Sequence, residues 1–301
     1  MKHTTRLRAL LAQPQILIAP GAADALTARL IQEAGFAAVY ATGAGIANTQ
    51  FALPDIGLVS STEMLQQIQR IVNAAPVPVL ADADTGYGNP LNVMRTVREY
   101  EHAGVAGIQL EDQVSPKKCG HFDGKEVIPA EEMAQKLRAA VAARQDPDLV
   151  LVARTDALAI HGFEQALARA RLYAENGADV IFLEALRTRE QIERAPREVP
   201  CPLLFNLTEG AKSPLLTADE LQDLGYRIVI YPNTAMRVAI HAVQHALATL
   251  HAERSSQALV PHMVNWDERQ RIVRLPEYQQ LDQQFGRAPA RSPIADVGDG
   301  N

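Results

Sequence analysis

Eight short apolar runs, rich in β-branched residues, punctuate the chain up to Tyr231, and each is followed by a longer stretch with helical periodicity. The runs fall at 16–19, 37–41, 77–81, 105–111, 149–153, 179–184, 202–206 and 226–231. Each is apolar nearly throughout, as suits strands buried on both faces of a parallel sheet. The helical stretches lie at 22–34, 62–74, 90–103, 130–144, 162–176, 189–197, 217–224 and 233–251. Gly35, Gly104 and Gly177 stand where a left-handed cap would end a helix before the next strand. Ser60 and Thr217, each three residues before a glutamate, mark helix starts. Eight β/α pairs in about 250 residues is the arithmetic of an α/β fold of the (β/α)8 TIM-barrel kind. An open doubly wound sheet alternates in the same way, but eight pairs without an evident second domain favour closure. We therefore expect one barrel domain spanning 1–301, with a C-terminal helical extension from about 252. Residues 263–285 read as one or two helices available to cover a neighbour, and 286–301 as a frayed end.

Composition narrows the function classes. The 301 residues carry 29 Lys and Arg against 35 Asp and Glu, a formal charge of −6. An acidic balance spread along the chain argues against nucleic acid as the main partner. No run approaches the roughly 20 apolar residues of a membrane span, and Gln13, Pro14 and Gln15 break the apolar N-terminal stretch that a signal peptide would need. Two cysteines, Cys119 and Cys201, are too few for a disulfide framework and fit the cytoplasm.

In a barrel, chemistry gathers where strands end. Those positions here hold Tyr40, Thr42, Asp82, Asp84, Glu111, Asp112, Arg154, Asp156, Glu184, Asn206 and Thr208, with Arg237 just beyond the last strand. Any one could cap a helix or pair with a neighbouring strand; together they describe a wet, charged mouth on a dry core. Asp82 and Asp84, two apart, face one side. Carboxylates that close repel unless a proton or cation lies between them. Mg²⁺ held by one or two carboxylates and water would answer that, with Glu111 in its outer shell; the alternative is that one aspartate caps the turn. No histidine pair has zinc-ligand spacing, and Cys119 with His121 makes only half a site.

The segment 112–129 is a loop of roughly 18 residues, longer than most barrel connections and of a length typical of lids. It carries Lys117, Lys118, Cys119, Gly120, His121, Gly124 and Lys125. Three lysines and a histidine around one cysteine favour its thiolate, hence a reactive role. Cys201, flanked by prolines, reads as an inert small residue. Gly43-Ala44-Gly45 lacks the third glycine of a dinucleotide fingerprint, no Walker-type loop is present, and no lysine sits at a strand end as a Schiff-base aldolase would require.

These motifs, in this order, resemble the isocitrate lyase / phosphoenolpyruvate mutase superfamily. The likeness runs from about Leu7 to Phe285. It rests on Lys117-Lys118-Cys119-Gly120-His121, Leu53-Pro54-Asp55, Asp82-Ala83-Asp84-Thr85-Gly86, Glu111-Asp112-Gln113 and Ala153-Arg154-Thr155-Asp156-Ala157. The resemblance implies a barrel whose eighth helix is exchanged between subunits, usually of a homotetramer. It implies Mg²⁺ (Mn²⁺ as an alternative) at Asp84 and Asp82, and small 2-hydroxy or 2-oxo di- or tricarboxylic acids as substrates. It also implies a site containing Asp55, Lys117, Gly120 and His121. Thr42, Gly43 and Ala44 would clasp one carboxylate through backbone amides, while Arg154, Glu184, Asn206, Thr208 and Arg237 orient the other. Cys119 would protonate the departing carbanion, with Tyr40, or a water near Glu111 or Asp112, as base. The cysteine loop points to carbon–carbon lyases. Trp266 stands where methylisocitrate lyases carry an arginine, and Gly210 where they carry Phe. Both favour a 2-alkylmalate, dimethylmalate-like substrate giving pyruvate and a monocarboxylate, ahead of a methylisocitrate lyase and then a phosphonomutase.

Overall fold

The computed structural model describes residues 1–120, 124–210 and 213–286, so His121, Lys212 and all of the expected frayed end but Gly286 lie outside the described residues. Eight parallel strands close in sequence order: β1 (Leu17–Ala22), β2 (Val39–Ala41), β3 (Val79–Asp82), β4 (Gly107–Glu111), β5 (Val150–Thr155), β6 (Val180–Leu183), β7 (Leu203–Asn206) and β8 (Ile228–Tyr231). The last strand pairs with the first, Leu17 opposite Ile228 and Pro20 opposite Tyr231. The open-sheet alternative is thereby excluded. Closure also explains why β1 runs three residues past the apolar run read at 16–19: a Cβ on Gly21 would meet the Pro232 carbonyl oxygen at 2.1 Å, so the seam needs the Pro20-Gly21 pair that in sequence reads as a break.

The helices in order are α1 (His3–Leu11), α2 (Ala25–Glu33), α3 (Gly43–Phe51), α4 (Ser61–Ala74), α5 (Pro90–His102), α6 (Ala130–Ala143), α7 (Leu158–His161), α8 (Phe163–Glu175), α9 (Arg189–Glu198), α10 (Ala218–Leu224), α11 (Thr234–Glu253), α12 (Trp266–Ile272) and α13 (Leu275–Phe285), with a 3-10 turn at Gln257–His262. Ser60 and Thr217 do cap α4 and α10, each in a reciprocal box with its glutamate. Three helices were not foreseen. α1 sends Leu7 into the inner core beside Leu17, Tyr40, Leu80, Val150, Phe182 and Ile230. Gly107 leaves it room, since a Cβ there would lie 2.9 Å from Leu80 and 3.2 Å from Leu7. α3 begins in the glycine pair that followed β2, and α7 is a single turn before α8. Around the strands a second apolar layer packs the inward faces of α2 to α10.

Two compact units divide the chain at 245/246. The first holds the barrel and the start of α11; the second holds the rest of α11 and two helices beyond it, within the one or two read from the sequence. α11 has no buried residue, and its Val238, Val243 and Leu247 are exposed. Among the described residues no helix is long and apolar enough to cross a membrane.

Candidate active site

Strand register decides which side chains meet. Asp82 ends β3 opposite Gln109 of β4, and Glu111 ends β4 opposite Arg154 of β5. At this end of the barrel lies a narrow cavity. Twelve of the expected residues line it: Tyr40, Thr42, Ala44, Asp55, Asp82, Lys117, Cys119, Gly120, Arg154, Glu184, Asn206 and Thr208. Phe182, Ile230, Pro232 and Asn233 complete the wall. Gly43 lies directly behind it: a Cβ there would be 2.8 Å from Asp82 Oδ2. Thr42 caps α3 by accepting a bond from Gly45 N at 3.2 Å, so the first amides of a helix border the Asp82 carboxylate, an arrangement that favours anions.

Two carboxylates stand just outside the cavity wall and are buried. Asp84 follows β3 with φ 46°, a left-handed conformation costly for a non-glycine residue. Its backbone N–H donates to Asp82 Oδ1 at 3.1 Å, which ties the aspartate pair together. Lys117 bridges two loops, donating to Asp55 and lying 2.9 Å from Asp84 Oδ1. Burial, opposed by Lys117 and reinforced by Asp82 and Asp55, pushes the Asp84 carboxyl up to about 6. Burial drives Glu111 well above the usual carboxylate range, against the pull of Arg154. The Arg154 guanidinium lies 3.3 Å from Glu111, 2.8 Å from Asp156 and 3.2 Å from Glu184, and sits 5.0 Å above the Phe182 ring. Burial alone would weaken its hold on its proton, but Asp156, Glu111 and Glu184 more than restore it.

The thiol-bearing loop reaches the same cavity. Cys119 N donates to Asp55 O at 3.0 Å. Gln113 grips the turn with both ends of its amide, Nε2 to Lys118 O at 2.8 Å and Oε1 from Lys118 N at 2.9 Å. Gly120 is required by close approach, because a Cβ would lie 2.3 Å from Arg154 Nη2 and 2.8 Å from the Glu184 carboxylate. The lysines do not cluster on the sulfur as their spacing suggested. Lys117 serves Asp55 and Asp84, Lys118 donates to Gly124 O at 2.6 Å, and Lys125 bonds Asp156 at 2.6 Å and the Gly120 carbonyl.

Other expectations also shift. Arg237 is half exposed, bonds the Glu209 carbonyl at 2.5 Å and does not line the cavity, because the first turn of α11 turns it toward the loop after β7. Burial first, then the charge of Asp82, raises the Tyr40 phenol well above its ordinary range; a phenol so held is a donor rather than a base. Trp266 lies in the second unit, 67% exposed, with the Arg269 guanidinium 4.0 Å over its ring. Sequence reasoning passed over Gln109, which links Tyr40 OH (3.3 Å) to Asp82 Oδ1 (3.4 Å). Its signal was one amide in an otherwise apolar strand. Lys125 and the Asp156 it neutralises were likewise not assigned a joint role.

A divalent cation suits these residues. Glu111 Oε1 is buried without a hydrogen-bond partner, and Asp84 Oδ1 is buried with the Lys117 ammonium 2.9 Å away. Six carboxylates (Asp55, Asp82, Asp84, Glu111, Asp156, Glu184) face three cationic groups, Lys117, Lys125 and Arg154. An anionic ligand would enter such a site only with added positive charge. Among the described residues no three His, Cys, Asp or Glu side chains are grouped to hold an ion by themselves, so water and ligand oxygens would complete the shell.

A family described as phosphoenolpyruvate phosphomutase matches residues 7–251. The chain is 44% identical over 285 residues to a 2,3-dimethylmalate lyase from Eubacterium barkeri, covering 95% of this chain and 99% of that protein. It is 46% identical to a probable 2-methylisocitrate lyase from Corynebacterium glutamicum over 92% of this chain and 90% of the relative. Solved structures of a 2,3-dimethylmalate lyase and of an oxaloacetate acetylhydrolase bound to 3,3-difluorooxalacetate each superpose with a TM-score of 0.91. Their identities are 37% and 36%, over 98% and 95% of this chain and 99% and 98% of theirs. A phosphonopyruvate hydrolase seen with oxalate and Mg²⁺ superposes with a TM-score of 0.87 at 29% identity, over 95% of this chain and all of the other.

Proposed function

The chain belongs to the phosphoenolpyruvate mutase / isocitrate lyase superfamily, and from that premise we propose that it is a Mg²⁺-dependent carbon–carbon lyase acting on a substituted malate such as 2,3-dimethylmalate. The products are pyruvate, or a related 2-oxo acid, and a monocarboxylate. One observation carries the reading: Cys119 lines the same cavity as Asp82, Lys117 and Arg154.

The reaction needs a base for the 2-hydroxyl proton, charge stabilisation for the two carboxylate ends, and an acid for the carbon that departs. Asp82 and Asp84, with Glu111 through water, would hold the cation, which when bound supplies Lewis-acid polarisation of the 2-hydroxyl or 2-oxo oxygen. The amides of Gly43 and Ala44 hold the adjacent carboxylate at the start of α3; the Thr42 amide, expected to join them, donates instead to Ala22 O at 3.2 Å. Arg154, Asn206 and Thr208 orient the distal one, and Phe182 and Ile230 receive the alkyl group. Glu111, its proton affinity raised by burial, takes the hydroxyl proton through water. The C2–C3 bond breaks with its electron pair passing to C3, where they are delocalised into the distal carboxylate. The Cys119 thiol then delivers its proton to C3. Lys117 and Lys125 hold Asp55, Asp84 and Asp156 in place while Tyr40, kept protonated, donates a hydrogen bond.

The exposed apolar residues of α11 support a homo-oligomeric enzyme, with this helix covered by another subunit. The cytoplasm suits a chain with only two cysteines, Cys119 and Cys201. Trp266 in place of an arginine favours the alkylmalate over 2-methylisocitrate. The test is a panel of 2,3-dimethylmalate, 2-methylisocitrate, oxaloacetate and phosphonopyruvate with Mg²⁺, 2-oxo acid release being read by a coupled dehydrogenase and phosphonate chemistry by phosphorus NMR. Cleavage of dimethylmalate with the highest kcat/KM is expected. Preference for 2-methylisocitrate would make the chain a methylisocitrate lyase, and rearrangement or hydrolysis of the phosphonate without C–C cleavage of any malate would overturn the lyase reading.

A further inference from the structure

The turn 82–88, between β3 and α5, holds four left-handed residues: Asp84 (φ 46°), Gly86 (80°), Tyr87 (59°) and Gly88 (146°). Asp84 and Tyr87 are not glycine, and a strained backbone of this kind persists only where its surroundings over-determine it. The carbonyl groups show what does so. Ala83 O accepts from Gly86 N at 2.9 Å, Asp84 O from Glu111 N at 2.9 Å, and Gly86 O from Thr96 Oγ1 at 3.2 Å. Those donors lie in the turn itself, in the adjacent strand, or in the helix that the turn leads into. Thr85 O is different. Its donor is Lys136 Nζ at 3.1 Å, reaching in from α6, 51 residues along the chain.

Lys136 is 4% exposed, on a helix face that otherwise buries Met133, Ala134, Leu137 and Ala140. By pattern the position asks for an aliphatic side chain, and a buried ammonium costs free energy that an apolar residue would not. The cost is offset here by the bond that the ammonium donates to the carbonyl next to Asp84.

We propose that Lys136 is a positioning residue: by holding Thr85 O it fixes the left-handed Asp84, and so aims the buried carboxylate that pairs with Lys117. Its consequence for metal binding rests on the reading of Asp84 as a cation ligand; its consequence for the turn does not. Lys136 touches neither the cavity nor the reacting atoms and acts through the backbone of the turn.

Lys136→Met keeps the length of the side chain and removes the donor; Lys136→Arg keeps a donor. Amide hydrogen exchange on the full chain without added metal is expected to accelerate about tenfold at Gly86 and Glu111 in Lys136→Met, with Lys136→Arg close to wild type and the melting temperature little changed. Mn²⁺ affinity, read by electron paramagnetic resonance, is expected to weaken about tenfold in the methionine variant, in the range seen when the supports of a metal ligand are removed. Unchanged exchange at Gly86 and Glu111, together with a lowered melting temperature, would make Lys136 a peg for α6 alone and overturn the proposal. Wild-type protein that binds no Mn²⁺ would sink the metal reading while leaving the exchange result to decide about Lys136. Should Lys136→Met fail to fold, Lys136→Gln, whose donor is too short to reach, must show the same local acceleration; wild-type exchange there overturns the proposal equally.

Discussion

At Asp84 two demands meet, burial and charge, and their balance sets a pH dependence. Its carboxyl sits at about 6 against 3.8 for an ordinary aspartate, so the folded protein holds this proton more tightly than the unfolded chain does. Below about pH 4 both states are protonated and the folded state carries no penalty. As pH rises from about 4 through about 6 the unfolded chain loses its proton first, and stability of the metal-free protein falls. The difference is at most about 3 kcal/mol, at 1.36 kcal/mol per unit, and less where Lys117 shares the charge. Denaturant titrations in chelator, wild type beside Asp84→Asn, should show wild type losing ground to the variant between pH 4.5 and 7. A difference that stays flat would show that Asp84 ionises freely. Most of this site was legible one residue at a time, because polar groups at the ends of apolar runs have few structural reasons to be there. Gln109 and the Lys125–Asp156–Arg154 network were not, since they exist only once strand register has brought four segments together.

Among the elements, strands buried on both faces announce themselves as unbroken apolar runs, and all eight were readable. α3 was hidden by Gly43 and Gly45, poor helix formers held in place by the Thr42 cap and by packing against Asp82 and Ala23. α1 was hidden because its buried stripe is narrow, Thr4 and Leu7 being its buried residues. The loop after β4 was visible by its length, but its internal clasp was not. Gln113 makes two hydrogen bonds to Lys118, each worth about 1 kcal/mol, and they shape the turn that presents Cys119. Gln113→Ala is therefore expected to speed proteolytic cleavage within 115–124 by about tenfold, and to lower kcat at least as much, with global unfolding barely affected. Cleavage and turnover both unchanged would show that the loop holds its shape without the clasp.

For the whole molecule, the telling feature is α11, 20 residues long with none buried. Ile240, Val243 and Leu247 recur at helical spacing and are exposed by 46–61%, an apolar face that a second subunit would cover. Sedimentation should find an oligomer, and Val243→Glu with Leu247→Glu should dissociate it while leaving the far-ultraviolet circular dichroism of the barrel intact. A monomeric wild type would contradict the covered helix. The thiol and the aspartate pair come together only because the barrel closes and the loop after β4 folds back over its mouth. The decisive measurement is the rate of 2-oxo acid release from 2,3-dimethylmalate at saturating Mg²⁺ by wild type and by Cys119→Ala. Wild type should turn over and the variant should fall by about 10²- to 10⁴-fold, the usual worth of a positioned acid, while still binding the 2-oxo acid product. Equal rates in the two proteins would remove the thiol from the chemistry and contradict the mechanism.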